Sequence, residues 1–371
     1  MRLARDTLRG YVLEEVLAFL IRNTGYRLLV HKSQDPEELD ARGNGLVVMG
    51  RGAVHQVDVL GELAWIPAFT YPLRLFVEAK FRNTKTGIDT VRELVATLLD
   101  VNQNNMPQLT RQFGQVPQLR AKYQYVGAVF STSGFSEPAM DMALAHGISL
   151  IDLTVPELDP VLSGITTVAD NILKAFVRTS TVNGEESEPV PEDNGVERGE
   201  FIAALRRALR RRLGTEPPNV PANLEALVER ISPTLDPIVR VARHHDELFV
   251  GMANGPFMLV MSAREPASFL SYSTQHPTHE IEIRWTKRQH EGRVWSIHPL
   301  GDQHAYSLSL GLPELLGDWI FSQRDVREAA MMVKEQFFSN ITVYHHSQER
   351  DLLVRLRFNR QAVRLAAESY T

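Results

Sequence analysis

The chain has 371 residues, of which 43% are hydrophobic and 23% charged, enough for two or three globular domains with a sizeable core. A net charge of −5 excludes a uniformly basic coat, so contact with nucleic acid requires a local patch. The absence of cysteine excludes disulfides, thiolate zinc sites and cysteine nucleophiles. The N-terminal residues lack the continuous apolar core of a signal peptide, and no segment reaches the roughly 20 apolar residues of a membrane span. The expectation is a cytoplasmic protein with no membrane contact.

Val12, Val16, Phe19 and Leu20 recur at helical spacing and predict an amphipathic helix over residues 11–22, stopped at Gly25. Residues 26–31 read as a short strand and 32–44 as a polar, turn-rich loop. Strands are expected over 46–49, 54–60 and 73–81, with Gly and Pro between them. A helix follows over 90–102, then a buried strand over 125–131. Ser136 can cap a helix that starts near Pro138 and ends at Gly147, and 148–153 is another strand. With a helix over 156–178, the order describes an α/β domain: a mixed central sheet flanked by helices.

Residues 179–200 are acidic, contain two prolines and carry few apolar side chains, which marks an exposed linker. Beyond it, helices are expected over 201–213 and 224–231. Strands are expected over 237–242, 247–252, 257–262, 280–286, 294–298 and 306–310. A helix over 324–338 and strands over 340–345 and 353–358 complete an α+β domain. The chain thus divides into residues 1–178, a linker at 179–200, and residues 201–371.

The stretch 50–82 concentrates the chemistry. Asp58 ends one apolar run, and Glu78 and Lys80 lie in the next, Arg-Leu-Phe-Val-Glu-Ala-Lys-Phe-Arg. Strand parity puts Phe76, Glu78 and Lys80 on one face and Val77, Ala79 and Phe81 on the other, while Gln56 shares the face of Asp58. Charges in an apolar strand are costly unless paired or coordinated. Two carboxylates and an ammonium on adjacent strands suit a divalent cation that activates water against a phosphodiester. On this reading Asp58 and Glu78 hold the cation and Lys80 orients the water or offsets developing charge. The bland alternative is a cross-strand ion pair on an exposed edge.

These residues resemble the Mrr-like restriction endonucleases, a branch of the PD-(D/E)xK nuclease superfamily. The resemblance covers about the first 155 residues. It rests on Gly10-Tyr11-Val12-Leu13-Glu14 with Gly25-Tyr26, on Gln56-Val57-Asp58 with Glu78-Ala79-Lys80, and on residues 129–136 with Ala139 and 146–152. The chain departs from the family in its longer glycine-rich approach to Asp58 and in an aromatic insertion at 61–72. The resemblance implies a restriction-endonuclease-like fold and Mg²⁺-dependent hydrolysis of DNA, with Mn²⁺ as a substitute. It implies metal ligation by Asp58 and Glu78, catalysis by Lys80, an accessory carboxylate at Glu14 and assistance from Gln56. Glu15, about 100° round the helix, is the rival to Glu14; apolar spacing does not decide between them, and the resemblance favours Glu14. It also implies bacterial defence against foreign DNA, with residues 201–371 serving recognition, sensing or assembly. RNA cleavage and a catalytically silent nucleic-acid-binding module are the alternatives, and cutting both strands with one site per chain favours a homodimer or higher oligomer.

Secondary signals are weaker. Arg206, Arg207, Arg210 and Arg211 form a basic helical run that suits phosphate, against the alternative of a solvated helix face. Arg82, beside the site, and Ser131 and Ser133, at a strand end, could meet substrate phosphate, against simple turn chemistry. His55 has the parity of Val57 and is expected to face away from Asp58. His244-His245-Asp246 and His345-His346 lack zinc spacing. Trp285, Trp295 and Trp319 with Phe269, Tyr272 and Tyr306 fit a packed core better than a base pocket.

Overall fold

The computed structural model describes the chain apart from residues 1–3, 23, 44, 65–69, 105–122, 156–157, 177–180, 183–184, 187–196, 218–223, 245–247, 255–257, 289–291, 313, 347–350 and 370–371. In chain order, the first half contains α1 (Arg5–Arg22), β1 (Tyr26–Leu29), β2 (Leu39–Arg42), β3 (Gly45–Met49), β4 (Val54–Val57), β5 (Val59–Leu63) and β6 (Leu73–Lys80). There follow α2 (Ile88–Asn104), β7 (Gln124–Ser131), α3 (Glu137–His146), β8 (Ser149–Asp152) and α4 (Asp159–Phe176). The central sheet has the order β1-β5-β6-β7-β8. Strand β5 runs antiparallel to both neighbours, and β6, β7 and β8 run parallel.

Strand alternation explains the layers. Leu75 and Val77 of β6 join Leu13, Val16 and Leu17 of α1 in one core. Phe76, between them, joins Leu94, Leu98 and Val101 of α2 on the opposite side. Gly127 lets α2 approach closely, since a Cβ there would lie 2.6 Å from Leu98 Cδ1. Helix α3 has Pro138 in its first turn and ends at Gly147 in the left-handed conformation, φ 65°.

Three expectations are corrected. The strand at 54–60 breaks at Asp58: β4 belongs to a separate β2-β3-β4 meander, while β5 joins the central sheet. The loop at 32–44 contains a 3-10 turn and β2. The strand at 237–242 is a helix, because Ile238, Val239 and Ala242 are buried at helical spacing.

Within the acidic stretch, β9 (Thr181–Val182) pairs with β10 (Glu185–Glu186); residues 187–196 of the expected linker lie outside the described residues. Then come α5 (Arg198–Leu213), α6 (Glu225–Ile231) and α7 (Asp236–His244). These helices turn back onto the first half. Phe201 stacks edge-on against Phe176 at 5.2 Å between ring centroids. Gly164 of α4 receives Ile238 of α7, whose Cδ1 would lie 3.0 Å from an added Cβ. Apolar residues of α1, α4, α5, α6 and α7 share one core with Val59, Val77 and Ile151 of the sheet.

The remainder forms β11 (Leu248–Met252), β12 (Met258–Ala263), α8 (Pro266–Gln275), β13 (Thr278–Arg288), β14 (Gly292–Pro299) and β15 (Leu308–Leu310). It continues with α9 (Glu314–Ser322), α10 (Val326–Phe337), β16 (Asn340–His346), β17 (Asp351–Phe358) and α11 (Arg360–Ser369). Its strands close into a seven-stranded barrel, β11-β12-β15-β14-β13-β17-β16. Met261, Ile283, Trp295, Ile297, Leu308, Ile341 and Leu356 are buried in its core. Trp285 packs edge-on against Phe321, and Trp319 is exposed. The chain is therefore a mixed α/β protein with helices, several sheets and a closed barrel. No helix among the described residues is long and apolar enough to cross a membrane.

The barrel meets the first half at Gly25, which has φ +90° and would place a Cβ 1.8 Å from Tyr344 Cε1 of β16. Gly25→Ala is expected to combine left-handed strain with overpacking, a loss of about 2–4 kcal/mol. Urea denaturation monitored by circular dichroism measures it; an unchanged midpoint contradicts the close approach.

Candidate functional site

Asp58 sits at the corner where the chain leaves the meander and enters the central sheet. Val59 pairs with Val77, so continuing that antiparallel register by one residue sets Asp58 opposite Glu78. Asp58 Oδ2 accepts the Ala79 amide N–H at 2.8 Å, which fixes the carboxylate across the end of the ladder. Lys80, two residues beyond Glu78 on the same strand, donates its ammonium to Glu78 Oε1. Burial pushes the Asp58 carboxyl up to about 6, and the Glu78 charge adds to the rise; the Ala79 amide, Lys80 and Arg206 oppose it.

Helix α1 contributes Glu14 and Glu15, and both are met by α5. Arg206 donates to Glu14 Oε2 and, at 3.1 Å, to Glu15 Oε1. Arg210 grips Glu15 with two further bonds of 2.7 and 2.8 Å. Burial raises the Glu14 carboxyl to about 8 against the pull of Arg206, with Asp58 and Glu15 adding to the rise. Glu14, Asp58, Arg206 and Arg210 line one small cavity together with Glu15 and Val57. Sequence reasoning missed the engagement of Arg206 and Arg210 with α1. A partial signal was present: Glu14 and Glu15 have Tyr11, Leu17, Ala18 and Phe19 as helical neighbours and no base within a turn, so any charged protein partner had to be tertiary.

The other expected residues are placed differently from one another. Gln56 is exposed on β4, opposite Val47 and against Gly45. Arg82 is exposed, its backbone bonded in both directions to the Thr132 hydroxyl. Ser131 is buried and bonds Thr86 and the Gly134 carbonyl, while Ser133 donates to the Thr84 carbonyl at 2.6 Å. Both serines thus staple the loop after β6. Arg207 and Arg211 are tied to Glu216 and Glu225. His55 faces α2, with Nε2 2.7 Å from Asp100 Oδ2. His345 packs near Phe249 in the barrel; His245 lies outside the described residues.

The donor set suits a hard cation. Asp58 and Glu78 offer oxygen ligands, and their mutual repulsion is relieved by positive charge between them. Among the described residues, no group of three or more Asp, Glu or His side chains is gathered into a ready cage. Mg²⁺ does not need one, since it commonly uses one or two carboxylates, substrate phosphate and water.

No family model and no curated protein matches this chain. A solved structure, that of a protein of unknown function named AF1548, is 15% identical and aligns over 63% of this chain and 97% of its own, with a TM-score of 0.31. At that score the likeness carries no argument about fold or function.

Proposed function

We propose that the protein is a Mg²⁺-dependent endonuclease that hydrolyses DNA phosphodiester bonds. The observation that supports this most directly is the meeting of Asp58 and Glu78 at the end of the β5–β6 ladder with the Lys80 ammonium beside them. Asp58 and Glu78 would hold the cation, which supplies charge neutralisation at the phosphate and acidifies a nearby water. Lys80 would orient the attacking water and offset negative charge as the bond breaks. Glu14 would supply an accessory carboxylate, and Gln56 would assist near the metal or the substrate. The proposal extends to a cytoplasmic enzyme of bacterial defence that acts as a homodimer or higher homo-oligomer, with residues 201–371 serving recognition, sensing or assembly.

The test is incubation with supercoiled plasmid, linear duplex DNA and RNA, with Mg²⁺, Mn²⁺ or chelator. Metal-dependent nicking or linearisation of DNA is expected. Glu78→Ala and Lys80→Ala are each expected to reduce the rate by about 10²–10³-fold, as loss of a charge-stabilising group does elsewhere. Preferred cleavage of RNA redirects the substrate class. Absence of cleavage in every condition removes the enzyme reading and leaves the binding-module alternative.

A further inference from the structure

The acids on α1 are held by a helix from the other side of the acidic stretch. Arg206 is 6% exposed. It reaches Glu14 and Glu15 together and lies 4.8 Å from the centroid of the Tyr11 ring. Its charge is also felt at Asp58. The planar guanidinium is what permits this geometry, since its nitrogens diverge towards two carboxylates at once, whereas an ammonium is a single point of charge. Arg206 could reach a DNA phosphate only by abandoning two buried acids, which makes it a poor backbone contact. Arg206, Arg210 and Lys80 thus set three positive charges among the carboxyl groups of Glu14, Glu15, Asp58 and Glu78.

Resting on the nuclease reading, we propose that Arg206 is a positioning residue of that site. It holds the Glu14 carboxylate towards Asp58 and takes the place of a second cation, so that one divalent ion at Asp58 and Glu78 completes the constellation. Helix α5 is then part of the cutting unit, although it follows the acidic stretch in sequence.

The full-length chain provides the test, with Mn²⁺ titration by calorimetry and steady-state plasmid cleavage measured in parallel. The wild type binds one Mn²⁺ per chain. Arg206→Met, checked for folding by its melting curve, lowers kcat about tenfold or more while KM for DNA stays within about twofold, as expected when transition-state geometry rather than substrate binding is lost. Arg206→Lys recovers part of the kcat. Glu14→Gln, which leaves Arg206 with Glu15, reproduces the loss and keeps the test open if Arg206→Met does not fold. Combining the two substitutions costs little more than either alone, because both act through one contact. Two Mn²⁺ ions in the wild type, an unchanged kcat in Arg206→Met, or a rise in KM with a flatter salt dependence would overturn the proposal while leaving the nuclease reading standing. A wild type that binds no Mn²⁺ and cuts no substrate overturns both.

Discussion

Asp58→Asn is expected to abolish Mg²⁺-dependent cleavage and, at pH 8, to make the protein more stable. The folded Asp58 carboxyl titrates near 6, raised from 3.8 by burial and by Glu78. The folded state therefore holds the proton more tightly than the unfolded chain does. The contribution of Asp58 to stability is most favourable below about pH 4 and is lost as pH rises through 6, above which the full electrostatic cost is present. At 1.36 kcal/mol per pH unit that cost is on the order of 2–3 kcal/mol. Asparagine keeps an oxygen for the Ala79 amide and cannot ionise, so it escapes the cost. Chemical denaturation at several pH values should show the two proteins nearly equal near pH 4 and separating up to pH 8. Saturating Mg²⁺ should close the gap by stabilising the wild type alone. A destabilised Asp58→Asn at pH 8 would mean that Asp58 is a structural acceptor rather than a strained ligand.

On the proposed nuclease reading, the same titration is expected to govern activity. Metal binding requires ionised carboxylates, so cleavage at fixed Mg²⁺ should fall as pH drops through about 6. Added Mg²⁺ should shift the midpoint downward, because the cation competes with the proton. A rate profile flat from pH 8 to 5 would argue against Asp58 as a ligand.

The legible parts of the fold were those whose cause is local. Strand β6 announces itself by its apolar run, and with it come Glu78 and Lys80. Helix α3 is bracketed by Ser136 with Pro138 and by Gly147. The corner at Asp58 was not legible, since the valines of Val54 to Leu60 read as one strand-forming run and only tertiary pairing sends β4 and β5 to different sheets. Helix α7 reads as a strand in the sequence because Ile238, Val239 and Val241 are β-branched, and its tertiary burial outweighs that preference. Barrel closure was equally hidden: β13 pairs in parallel with β17 across α9, α10 and β16, and nothing in either segment names the other. At the site, Asp58, Glu78 and Lys80 could be grouped from strand parity. The α5 arginines could not be placed, because a basic helical run looks alike whether its partners are water, phosphate or buried glutamates.

That last distinction predicts a large effect on stability. Glu15 is 2% exposed and accepts from both Arg206 and Arg210. Glu15→Ala removes the shared counter-charge, takes the carboxylate partner from Arg210 and leaves Glu14 as the remaining partner of Arg206. Breaking one side of a buried ion pair typically costs about 3–5 kcal/mol. The loss should centre on the α1–α5 contact, so hydrogen exchange is expected to rise first in α5 and in the α1 turn that faces it. Combining Glu14→Gln with leucine at positions 15, 206 and 210 should cost less than Glu15→Ala alone, because no charge of the cluster is then left without its partner and apolar volume fills the space. Urea midpoints of the two variants make the comparison directly. If the fourfold variant is the weaker protein, direct attraction within the cluster exceeds the cost of burying its charges. If it is the stronger, the fold retains these charges at the expense of stability, as expected of groups kept for the chemistry at Asp58 and Glu78.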